Sequence, residues 1–102
     1  MPVKKLVRSG PSPTGQALLI RLVDEWQRPA QQPIIIEEGG GQGQPVQLYV
    51  VWDDWAPLRS IERSEVIMDA YEQVRGRAGT TNVSVAMGLT PIEAERLGIR
   101  YQ

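Results

Sequence analysis

Two adjacent carboxylates between two tryptophans, Trp52-Asp53-Asp54-Trp55, are the residues of this chain best suited to chemistry. Paired aspartates at a strand end can hold magnesium and activate water, provided further oxygen ligands stand nearby. The other acids are badly spaced for that. If a hairpin pairs Ile36 with Leu48, Glu37 and Glu38 fall at its loop end while Asp53 and Asp54 fall at the opposite end. Glu62 and Glu65 come closer, but acids at a helix start ordinarily serve its free amides and dipole. The 102 residues include no cysteine and no histidine. Thiol nucleophiles, zinc sites and imidazole acid/base catalysis are therefore removed together. No catalytic residue, metal site or cofactor is expected, and the chain reads as a non-enzyme.

Three other features have binding chemistry. Gly40-Gly41-Gln42-Gly43 has the GxxG spacing that clamps nucleic acid in KH domains. There the motif joins two helices, whereas here it falls between two strands, and no Gly-Lys-Ser/Thr follows to make a phosphate loop. A flexible hairpin tip is the expected role. Trp52 and Trp55 suit either base stacking or a protein interface. With no phenylalanine in the chain, at least one of them is expected to fill the core. Lys4, Lys5 and Arg8 form an acid-free basic start and, with Arg63, are the candidate nucleic-acid contacts. Arg59, Arg63, Arg75 and Arg77 are interleaved with Glu62, Glu65, Asp69 and Glu72 at spacings that favour helical ion pairs.

The elements that must position these residues follow from periodicity and caps. Residues 1–13 read as a loose basic arm closed by Gly10, Pro11 and Pro13, and residues 14–102 as one domain. Ser12 or Thr14 offers a cap for a helix carrying Leu19, Leu22, Val23 and Trp26 on one face and ending near Arg28, before Pro29. Pro33-Ile34-Ile35-Ile36 is a β-branched strand, and Val46 to Asp53 is a second, joined to it across the glycine loop as an antiparallel hairpin. The second strand is apolar on both faces, with Leu48, Val50 and Trp52 on one and Tyr49 and Val51 on the other. Ser60 caps a helix to about Arg75, stopped by Gly76. Asn82 to Met87 alternates Val83, Val85 and Met87 on one buried face. Thr90-Pro91-Ile92-Glu93 then opens a last helix that ends at Gly98. The sum is an α+β fold of order α-β-β-α-β-α: a three-stranded mixed sheet with helices mainly on one face and a helical crossover that permits a parallel pair.

This layout resembles the BolA-like family and the class II KH fold. Trp55 matches the aromatic at the strand end and Arg63 the arginine eight residues later. Val83 to Met87 matches the following strand, and Thr90-Pro91-Ile92-Glu93 matches the final Thr-Pro-Glu-Glu motif with one change. The likeness spans residues 14–98 in layout and is specific between 46 and 93. Ser64 stands where the family has histidine, and the family's hairpin histidines are also absent. Family members use such histidines to share an iron-sulfur cluster with a glutaredoxin, a ligand this chain does not supply. The resemblance therefore implies a fold and not that role.

Eleven basic against twelve acidic residues leave a net charge of −1, so no overall field draws the molecule to nucleic acid or anionic lipid. The longest apolar runs, Ala17 to Ile20 and Leu48 to Trp52, are far short of a membrane span. A cytoplasmic protein with no membrane partner is expected. A strand apolar on both faces in so small a domain points to a protein-interaction or regulatory module that binds a protein or its own copy, as a homodimer, through a sheet face or edge. Tyr49, Val51, Trp52 and Trp55 are its candidate contacts. A nucleic-acid-binding regulator of KH-like or BolA-like layout is the alternative.

Overall fold

The computed structural model describes residues 12–30, 32–41 and 43–100, so Lys4, Lys5, Arg8 and most of the expected basic arm lie outside the described residues. Helix α1 (Pro13–Gln27) is followed by strands β1 (Ile34–Gly39) and β2 (Val46–Val51). A single 3-10 turn (Asp53–Trp55), helix α2 (Ser60–Thr80), strand β3 (Val83–Leu89) and helix α3 (Pro91–Arg96) complete the chain in the expected α-β-β-α-β-α order. Among the described residues no helix is long and apolar enough to cross a membrane.

Local chemistry sets the helix ends. The Ser12 hydroxyl accepts from the Gly15 amide at 3.1 Å. Pro13, expected to close the arm, instead opens α1, where its missing N–H costs no hydrogen bond. Leu18 and Leu22 are buried, with Leu19, Val23 and Trp26 packed beside them. In α2 the N-cap is Arg59, not Ser60, and makes no side-chain capping bond. Its regular stretch ends as expected at Gly76, whose φ of 79° lies in the left-handed region. One further helical turn, to Thr80, follows that kink. Thr90 and Glu93 complete a reciprocal capping box at α3.

The sheet order is β1-β2-β3, with β1 antiparallel and β3 parallel to the central β2. Ile36 faces Tyr49, one residue away from the expected pairing with Leu48, because β1 continues through Glu37 and Glu38 to Gly39 opposite Val46. The second correction is larger. Val46 faces Val83, but Gln47 faces Val85, leaving Ser84 as an extra residue in β3. That bulge reverses the side-chain alternation. Val83 and Ala86 therefore pack with the helices, while Val85 and Met87 share the opposite face with Tyr49 instead of sharing a buried face with Val83.

Two clusters result. The larger one places Leu48, Val50, Trp52 and Trp55 beneath α1 and α2 together with Leu22, Val66, Ile67 and Ala70. A smaller one, on the other side of the sheet, gathers Val51, Leu89 and Ala94 with Ile34, Ile36 and Ile99. Helices α1 and α2 thus cover one face, and α3 covers only one end of the other.

Gly88 marks the tightest approach between layers. A β-carbon there would stand 2.8 Å from Arg63 Cβ and 3.0 Å from the Trp55 ring. Gly88→Ala is expected to lower stability by about 1–3 kcal/mol through overpacking, measured as a shift in the urea midpoint with the slope unchanged.

Candidate functional site

The face opposite α1 and α2 consists of three cross-strand rows, each contributed by all three strands. Ile34, Val51 and Leu89 form the first, Ile36, Tyr49 and Met87 the second, and Glu38, Gln47 and Val85 the third. The first row lies under Ala94 and Ile99, which leaves Val51 and Leu89 buried. Among the described residues no helix residue belongs to a cluster with the third, and in the second Met87 remains 37% exposed. Tyr49 is half-buried, and its hydroxyl donates to Gln47 Oε1 at 3.2 Å. That bond lays the ring along the sheet toward the third row. The result is a mostly apolar, half-open surface with one carboxylate, Glu38, at its edge.

Beside Met87 this surface continues into a groove of about 450 Å³ between the start of α2, β3 and α3, lined by Ser60, Arg63, Ser64, Met87, Arg96 and Leu97 among others. Two side chains close the β3 side of it. The Ser64 hydroxyl donates to Ala86 O at 2.7 Å, and Arg63 Nη1 donates to Gly88 O at 3.2 Å. Outward carbonyls of β3 that a free edge would offer to another strand are therefore already taken.

Arg63 does more than seal that edge. Its Nε donates to Leu58 O at 2.9 Å and Trp55 O at 3.1 Å, and Nη1 meets Glu93 Oε1 at 2.6 Å. The residue is only 6% exposed. As a candidate nucleic-acid contact it is thus placed inside the fold, with its guanidinium committed to three carbonyls and one carboxylate. Glu93 is held below the usual carboxylate range, first by the Thr90 backbone N–H and then by the Arg63 guanidinium, against a smaller opposing effect of burial.

The aromatic and acidic segment is likewise structural. Trp55 is fully buried, and its indole N–H donates to Val50 O at 3.0 Å. Trp52 is 3% exposed and meets Trp55 edge to face, with centroids 5.2 Å apart. The Arg21 guanidinium stacks 4.9 Å from the Trp52 ring and pairs with Asp54. Glu62 accepts from the Ser12 hydroxyl instead of approaching the aspartates. Among the described residues no three acids converge to hold a metal ion. Two of the interleaved arginines look outward from their helix, Arg63 to Glu93 and Arg75 to Glu37, while Arg77 pairs with Glu72 within α2.

Of the four candidate contacts, Val51 lies under α3 and Trp52 and Trp55 lie in the main core, which leaves Tyr49 on the open surface. Ile36, Val85 and Met87 join it there and were missed. The Ile34-Ile35-Ile36 run signals apolar side chains on both faces of β1. The contribution of β3 was hidden by the bulge. Comparison with family models, curated proteins and solved structures finds no match to this chain. Fold and surface together define a small α+β domain with a half-covered sheet.

Arg63→Ala is expected to cost about 3 kcal/mol or more, since it strips buried carbonyls and Glu93 of a charged donor. Arg63→Lys should restore only part, because an ammonium lacks the planar fork. Urea unfolding of both variants at neutral pH checks this. Glu93 adds a pH signature. With its folded pKa below the unfolded value, its contribution is present above about pH 4.5 and is lost as pH falls through the lowered value. The stability gap between wild type and Glu93→Gln should therefore shrink on acidification, measured by thermal melts from neutral pH downward.

Proposed function

We propose that this chain is a small non-catalytic protein-interaction module whose recognition surface is the uncovered part of its sheet, centred on Ile36, Tyr49 and Met87. One observation carries the reading: Val51 and Leu89 of the first row are buried beneath Ala94 of α3, while in the row beside it Ile36 only flanks that cluster, Tyr49 is half-buried and Met87 is exposed. Contiguous apolar surface rimmed by polar groups is characteristic of a docking face. The bulge at Ser84 supports this, because it turns Val85 and Met87 toward that face when an unbroken alternation would have kept them with Val83. The element order shared with BolA-like and KH-like proteins supports the layout and says nothing of the partner. A cytoplasmic setting is part of this proposal, and a chain without cysteine is compatible with a reducing compartment.

Nucleic-acid binding draws less support. Lys4, Lys5 and Arg8 lie outside the described residues, and Arg63 is spent on carbonyls and Glu93. A photo-crosslinking amino acid placed at Tyr49, with Gln73 on the exposed side of α2 as control, separates the possibilities in native extract. Protein adducts, to self or to another chain, enriched at position 49 over position 73 are the expected result. Adducts to RNA or DNA would move the assignment to nucleic acid, and equal labelling at the two positions would overturn the surface altogether.

A further inference from the structure

We infer that the partner of the open sheet surface is a second copy of this chain, docked so that α3 of each protomer covers the bare rows of the other. The inference rests on the interaction reading above and adds the occupant. It starts from the helix itself. Ala94 is the residue of α3 fully buried against the protomer's own sheet. Ile92 and Arg96 lie two residues either side of it and so, at about 3.6 residues per turn, on the opposite side of the helix. Ile92 is 62% exposed. This outward isoleucine stands one helix thickness above a sheet whose remaining rows are half-buried or exposed.

Shape makes the match reciprocal. Because α3 covers only one end of the face, the surface is a step: a raised helix at one end and a depression over Ile36, Tyr49, Met87, Gln47 and Val85 at the other. A two-fold axis lying between two such faces puts each raised helix into the other's depression. Both α3 helices then share one middle layer between two sheets, and the same patch serves both partners, as a closed dimer requires. Ile92 enters the row of Ile36, Tyr49 and Met87 of the other copy.

Charge agrees with shape. Arg96, at the mouth of the groove between α2 and α3, and Glu38, at the edge of the half-covered rows, are both exposed. Among the described residues neither has an ion-pair partner. Glu95 and Arg100 are likewise exposed and, among the described residues, without an ion pair, whereas Glu93 is held by Arg63, and Glu37, on the opposite face of β1, by Trp26 and Arg75. In the two-fold arrangement Arg96 of one copy meets Glu38 of the other, twice per dimer, at the rim of an apolar contact. Rim pairs of this kind fix register and exclude wrong partners more than they add affinity.

Sedimentation equilibrium of the full chain tests this, with Glu38→Arg, Arg96→Glu, their double exchange and Ile92→Asp compared with wild type. All substituted side chains are exposed, and circular dichroism confirms that each variant is folded. The expected result is a wild-type dimer, association weakened about tenfold or more in each single variant, and recovery in the double exchange. A wild type still monomeric at about 100 µM overturns the self-partner. So does a dimer indifferent to all four variants, and single losses without recovery in the exchange overturn the Glu38–Arg96 contact that sets the arrangement. A monomer that nevertheless crosslinks another protein at position 49 would keep the interaction surface and discard only the second copy. Equal labelling at positions 49 and 73 would discard the surface itself.

Discussion

The guanidinium of Arg63 is the point on which the rest of the architecture depends. From one buried side chain it reaches the loop after β2 through Trp55 O and Leu58 O, the edge of β3 through Gly88 O, and the capping box of α3 through Glu93. These groups lie on three separate segments. Five N–H donors in a rigid plane allow one residue to do this, where a lysine would offer a single flexible point. Trp55 O also accepts from the Leu58 amide, so the carbonyls that lean most on the guanidinium are Leu58 O and Gly88 O; these bonds, with Glu93, explain why a charge is tolerated there at all.

That junction dictates what surrounds it. Gly88 has no side chain because Arg63 and Trp55 occupy the space where a β-carbon would go. Trp55 is fully buried beside it and returns an indole hydrogen bond to the central strand, which ties the 3-10 turn to the sheet. Glu93 fills a double role, closing the start of α3 through the Thr90 amide and neutralising Arg63. The short last helix is therefore anchored at its first turn, and its position over one end of the sheet is a consequence of that anchor. The uncovered rows are what a six-residue helix leaves behind.

Much of the fold was legible residue by residue. Ser12, Thr90-Pro91 and Gly76 mark helix boundaries through local hydrogen bonding and backbone freedom, which act over a few residues and are written directly in the chain. The glycine loop between β-branched and apolar stretches implied the hairpin, and a helix between the second and third strands permitted the parallel pair. The candidate surface was legible only in part. Tyr49 was found because β2 is apolar on both sides. Trp52 and Trp55, chemically the more inviting residues, turned out to be core, and Met87 and Val85 were assigned to the wrong face.

What the amino-acid order determined by itself was the set of elements, their sequence along the chain and the composition that removes thiol and imidazole chemistry. Tertiary structure alone decided which face each side chain took and which charges met. The physical reason is the period of two in a strand: one extra residue, Ser84, inverts every side chain before it relative to those after it, and nothing in the local sequence announces where a parallel neighbour will skip. The same holds for Arg63. Spacing within α2 suggested acids on its own helix, but burial placed its partner 30 residues away, on Glu93.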